Sequence, residues 1–194
     1  MLEQVSGPAG RNRRLWLVVS LLLVTLLAGM IWLSRMTQMP LKSYTGQPPA
    51  LTPEQAESAR RLSQDVRYLS ETIGERNLTR PGTLETAAEY LVNRLKSLDY
   101  QIEEQAYVVQ GRKVRNLEVE LPGSDPAAGA VVVGAHYDSV VGSPGANDNA
   151  SCVAGVLELA RSFRQSTHQK SIRFVLFVNE EPPYFQTEEM GSLV

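Results

Sequence analysis

One histidine and four carboxylates stand in three short stretches of this sequence: His136-Tyr137-Asp138, Asp148 within Gly145-Ala146-Asn147-Asp148-Asn149-Ala150-Ser151, and the doublet Glu180-Glu181. Imidazole nitrogen with carboxylate oxygen is the donor set of a metal-dependent hydrolase. His136 and Asp138 are two apart at the exit of a strand, so their side chains leave on the same face and the aspartate can orient the imidazole. The plainer reading of that pair is a surface histidine beside a turn aspartate. Asp148 directly precedes a helix, where a carboxylate serves as an N-cap. Alternatively it bridges two cations about 3.5 to 4 Å apart, a separation suited to activating water and polarising a carbonyl together. Glu180 and Glu181 point in different directions on an extended chain, so one can bind metal while its neighbour faces the water. An acidic pair is ordinarily solvated surface, but this one directly follows the apolar run Ile172 to Val178, and open α/β sheets build their sites past the carboxyl ends of strands. Pro182-Pro183 then stiffens the loop and forbids a helix there.

The elements that must carry these residues follow from periodicity. Thr52, Pro53 and Gln55 have N-cap, N1 and N3 chemistry, and Ala59, Leu62, Val66 and Leu69 continue on one face, which predicts a helix to about Ser70. A second helix opens at Pro81-Gly82-Thr83, with Leu84, Ala87, Ala88, Leu91, Leu95 and Leu98 at helical spacing. Strands are predicted around Ile102 to Val109 and through Leu117, Val119 and Leu121, whose alternation with Glu118 and Glu120 marks a half-exposed antiparallel hairpin about Gly111. Ala130 to Ala135 lacks alternation and is expected to be buried on both faces, as is Ile172 to Val178. Between them lies a helix from Ala150 to Arg164 with Val153, Val156, Leu157, Ala160 and Phe163 inward. Strand, helix, strand in that order implies a crossover and an α/β fold with a mixed, largely parallel sheet and flanking helices.

Ahead of this domain, Leu15 to Ser34 contains 20 residues without a charge, spanning about 30 Å as a helix, enough to cross a hydrocarbon core. Trp16 and Trp32 stand near its ends, and Arg11, Arg13 and Arg14 precede it, which favours an uncleaved signal anchor with a cytoplasmic N-terminus. The apolar run is longer than a cleaved signal peptide requires, and Leu26 stands where a small residue is wanted before Ala28-Gly29. The expected organisation is a basic N-terminus (1–14), a transmembrane anchor (15–34), a Pro- and Gly-bearing tether (35–51) and a folded segment (52–194), outside the cytoplasm. With 19 basic residues scattered among 21 acidic ones and a formal net charge of −2, nucleic acid is excluded as a partner. The single Cys152 rules out an intrachain disulfide.

Taken together and in order, Gly134-Ala135-His136-Tyr137-Asp138-Ser139, Pro144 to Ser151 and Phe177-Val178-Asn179-Glu180-Glu181 resemble the motifs of the co-catalytic zinc aminopeptidases, metallopeptidase family twenty-eight, typified by bacterial leucyl aminopeptidase. The likeness runs from about Leu69 to the last residue and implies two zinc ions and a peptide substrate. By this resemblance His136 binds one zinc, Asp148 bridges both, Glu181 binds the second, Glu180 is the general base, and Asp138 holds His136. It also implies a non-proline cis peptide at Asp148-Asn149. Cys152 stands where the family usually has glycine. The family takes a further carboxylate and a second histidine from later in its chain, and His168, the only other histidine here, belongs to the opposite edge of the sheet. The expectation is therefore a membrane-anchored zinc exopeptidase of which this is the amino-terminal part, inactive alone. The alternatives are a non-catalytic receptor or scaffold of the same fold and glutaminyl cyclase-like acyl transfer.

Overall fold

The computed structural model describes residues 8–38, 41 and 43–194, in two units, 1–49 and 50–194. In the first, helix α1 runs from Pro8 to Thr37 and encloses the expected span 15–34. Its stretch Asn12–Thr37 is long and apolar enough to cross a membrane, and none of it is buried against protein. Residues 1–7, the side chain of Arg11, and Pro40 and Lys42 of the tether lie outside the described residues.

The second unit begins as its capping chemistry requires. Thr52 Oγ1 accepts from the Gln55 amide at 3.2 Å while the Gln55 side chain accepts from the Thr52 amide at 2.9 Å, and helix α2 spans Pro53–Arg67. It passes into a wider turn, Tyr68–Ile73, that ends at Gly74. Helix α3 (Thr83–Lys96) turns Leu84, Ala87, Ala88, Leu91 and Leu95 inward, as its spacing predicts. Strands β1 (Glu103–Val109) and β2 (Arg112–Leu121) form the expected antiparallel hairpin. Both of its turn residues, Gln110 and Gly111, have positive φ, the backbone that matches a tight hairpin to strand twist.

Strand β3 (Ala130–His136), helix α4 (Ser151–Phe163) and strand β4 (Ser171–Phe177) complete a four-stranded sheet of order β1-β2-β4-β3. The sheet is mixed and helix-flanked, as expected, but parallel pairing is confined to β3 with β4; β1 with β2 and β2 with β4 are antiparallel. The balance follows from connectivity: one crossover helix supplies one parallel pair, and β4 then docks against the hairpin instead of a further βα unit.

Two burial expectations are corrected. β3 is not buried on both faces, since Val131 and Val132 remain 46% and 59% exposed. Among the described residues it is an edge strand paired with β4 alone. Phe163, expected inward on α4, is 39% exposed, while Val153, Val156, Leu157 and Ala160 are buried as predicted. β4 is central, and Phe174, Val175 and Leu176 are buried between β2 and β3.

Candidate metal centre

Parallel pairing brings the two carboxyl ends of β3 and β4 side by side, with His136 opposite Phe177. The ladder runs one step further through the Tyr137 amide to the Phe177 carbonyl at 2.9 Å, so Asp138 emerges next to Glu180-Glu181. Asn179 adopts a left-handed φ of 60°, which asparagine tolerates better than most residues, and this turns the chain after β4. The amides of Glu180 and Glu181 then both donate to Asp138, to Oδ1 at 3.2 Å and Oδ2 at 3.0 Å. Asp138, 3% exposed, thus joins the loop after β3 to the loop after β4.

The turn Ala146–Ala150 places Asp148 over the same strand ends. Its carboxylate caps no helix: α4 has no side-chain N-cap bond, and Asp148 Oδ1 instead lies 3.1 Å from His136 Nε2. The Asp148-Asn149 peptide is cis, as the family resemblance implies, and Pro182-Pro183 is cis as well. The other imidazole nitrogen, Nδ1, sits 3.3 Å from Asp138 Oδ1, a charge contact that is not aligned as a hydrogen bond. Burial pulls the His136 imidazole down, but Asp138, Asp148 and Glu181 outweigh it and leave its pKa raised. Burial, and then the charge of Asp148, push the Glu181 carboxyl above its ordinary range.

One ligand atom from each of His136, Asp148 and Glu181 lies within 4.8 Å of the others. This N/O set fits a zinc-like divalent cation, because small side-chain shifts close it round an ion at about 2 Å per bond. The negative charge of the three carboxylates gathered around one imidazole is also what a cation would relieve. Glu180 is not among these three. Its carboxylate accepts from Ser192 twice, from the amide at 2.6 Å and from the hydroxyl at 2.9 Å. Ser192 is held there because the Gly191 amide bonds the Val178 carbonyl and the Gly191 carbonyl accepts from Asn116.

Sequence reasoning passed over Glu75 and Arg76, which sit in a loop, and Ser192, in the short 3-10 turn Gly191–Leu193, none of which gives a periodic signal. The Glu75 carboxylate accepts from the Asn77 side chain, the Gly142 amide and Arg80, and these bonds hold its pKa at about 2, well below the ordinary carboxylate range. A depressed folded pKa gives stability that is present above the ordinary carboxylate range and lost as pH falls through the folded value. Urea unfolding of Glu75→Gln is therefore expected to differ from wild type near neutral pH, the difference shrinking from about pH 4.5 down to about 2. A difference independent of pH would contradict the assignment.

Residues 116–189 match the sequence model of Peptidase family M28. YfbL of Escherichia coli, described as uncharacterized, is 36% identical over 151 residues, covering 74% of this chain and 46% of YfbL. The aminopeptidase YwaD of Bacillus subtilis is 53% identical over 51 residues, 26% of this chain and 11% of YwaD. Among solved structures, the zinc aminopeptidase BSAP of B. subtilis superposes with a TM-score of 0.59 at 15% identity, covering 63% of this chain and 62% of that one. A glutaminyl cyclase from an Acidobacteriales bacterium superposes at 0.54 with 19% identity, covering 76% and 51%. At these identities the superpositions speak for the fold alone. The chain spans less than half the length of these two curated relatives. The family match lies across the strands and turns that gather His136, Asp148 and Glu181, and over residues 116–189 the chain is similar to Peptidase family M28.

Proposed function

We propose that the whole protein is a membrane-anchored, zinc-dependent exopeptidase that removes N-terminal residues from peptides outside the cytoplasm. The observation that carries this reading is the convergence of His136, Asp148 and Glu181 at the carboxyl ends of β3 and β4. His136 would hold one ion, Glu181 a second, and Asp148 both. Bound there, zinc supplies Lewis acidity that lowers the pKa of water and polarises the scissile carbonyl. Asp138 keeps the His136 ring oriented and fixes the Glu180 and Glu181 amides. Glu180, oriented by Ser192, takes the proton of the attacking water and delivers it to the departing amine.

The test is hydrolysis of aminoacyl peptides by the longest polypeptide the gene encodes, with zinc supplied. Release of the N-terminal residue is the expected result. Cyclisation of an N-terminal glutaminyl peptide would transfer the protein to the acyl-transfer reading, and neither reaction would leave a scaffold. The 194-residue chain by itself is expected to show no turnover. Among the described residues each of two ions would have two protein donors, His136 with Asp148 and Asp148 with Glu181, where catalytic zinc takes three. Turnover by this chain with two bound zinc ions would overturn that ligand count.

The anchor belongs to the same proposal. The uncharged stretch 15–34 and the arginines before it favour an N-terminus inside and residues after about Thr37 outside. Protease added to intact cells should cut between Pro40 and Ala50; complete protection of that segment would reverse the topology.

A further inference from the structure

Arg76 is fully buried, at 0% exposure, yet it has no carboxylate bonded to its guanidinium. Its nitrogens end on backbone carbonyls instead: Nε on Tyr137 at 2.7 Å, Nη1 on Leu69 at 2.9 Å and on Gly74 and Pro144 at 2.7 Å, and Nη2 on Gly145 at 3.0 Å. Its own amide donates to Ser139 Oγ at 3.0 Å, and its carbonyl accepts from the Ser139 amide at 2.8 Å. Burial lowers the guanidinium pKa to about 10, against which the charge of Asp138 acts in the opposite direction. The side chain therefore remains a cation at neutral pH, and the carbonyl ring compensates for water lost.

The choice of carbonyls is informative. Tyr137 lies between His136 and Asp138, while Pro144 and Gly145 lead into the turn that carries Asp148. A planar fork with fixed donor directions thus sets the distance between the two segments that supply metal donors. The fit is tight on the Asp148 side: a Cβ at Gly145 would stand 2.9 Å from Arg76 Nη2, 2.6 Å from the Asp148 carbonyl and 2.5 Å from Ser139 Cβ, at a left-handed φ of 58°. Among the described residues no other side chain bonds both the Tyr137 carbonyl and the Pro144-Gly145 carbonyls.

We propose that Arg76 is a positioning residue for the metal centre, its guanidinium holding the His136 and Asp148 segments at the spacing a divalent ion requires. This rests on the metal reading of the site, and the experiment separates the two. The 194-residue chain is titrated with cobalt(II), reading affinity and the visible absorption spectrum, as wild type, Asp148→Ala and Arg76→Lys. Arg76→Lys keeps the charge but cannot span the carbonyls. We expect it to retain the far-ultraviolet circular dichroism of wild type, to bind cobalt about 10- to 100-fold more weakly, the range for residues behind the ligands, and to show a changed spectrum. A second variant guards against misfolding: Arg76→Ala is titrated with and without millimolar methylguanidinium, which should restore affinity and spectrum. Wild-type affinity and spectrum in folded Arg76→Lys would overturn the proposal, as would failure of methylguanidinium to restore either. Failure of the metal reading itself looks different: wild type and Asp148→Ala would then behave alike, and the proposal would fall with it.

Discussion

Asp148→Ala is expected to abolish tight divalent-metal binding at this site, with a loss exceeding about 100-fold, because even residues one layer behind metal ligands cost about 10- to 100-fold. Glu180→Gln should leave metal affinity nearly unchanged. The contrast follows from where the two carboxylates lie. Asp148 faces His136 Nε2 at 3.1 Å and belongs to the cluster with Glu181, whereas both Glu180 oxygens are occupied by Ser192. In the longest polypeptide of the gene, Glu180→Gln should still abolish turnover, since the amide keeps the size of the side chain but cannot accept the proton of water. Calorimetric zinc titration of the two variants measures the binding half of this expectation. Equal metal loss in both would refute the division of labour between Glu180 and Asp148.

The second large effect is on stability. Phe174→Ala should cost about 3 to 5 kcal/mol, the range for emptying a buried aromatic site. Phe174 is 1% exposed on the central strand, paired with Val119 of β2 on one side and Val133 of β3 on the other, and meets the Tyr100 ring edge-on with centroids 6.4 Å apart. Strands on both sides limit how far the chain can collapse into the void. Set against a domain stability of about 5 to 15 kcal/mol, this loss is enough to populate the unfolded state under mild denaturant. A urea midpoint close to wild type would mean that the β4 core tolerates the cavity and is packed more loosely than its burial indicates.

Much of the scaffold could be read from the sequence because capping and periodicity are local. Thr52 with Gln55, the inward leucines of α3 and the alternating strand of the hairpin each report their own backbone state. Burial of β3 differs from the expectation for a definite reason: an unbroken apolar run such as Ala130 to Ala135 looks the same whether one neighbouring strand or two will cover it, and among the described residues β4 alone does. The same limit applies to Phe163, whose helical spacing fixes a face without fixing what lies opposite. At the site, strand exits single out His136, Asp138 and the glutamate pair as candidates, and the N-cap reading of Asp148 falls because α4 has no side-chain cap and the carboxylate faces His136 Nε2. The cis Asp148-Asn149 peptide was legible through the family resemblance and from no property of those two residues. Arg76 and Glu75 reach Tyr137, Pro144, Gly145 and Gly142, more than sixty residues away, and Ser192 reaches back across a loop to Glu180; none of these contacts leaves a periodic sign in one dimension.

The claim that these strand ends form a metal centre is tested most directly by diffraction from crystals of the 194-residue chain soaked in zinc, with data collected on both sides of the zinc absorption edge. The account predicts anomalous density within bonding distance of Asp148 and of His136 or Glu181, lost in crystals of Asp148→Ala. Ordered side chains at those three residues with no peak between them, or zinc seated on other residues, would contradict it.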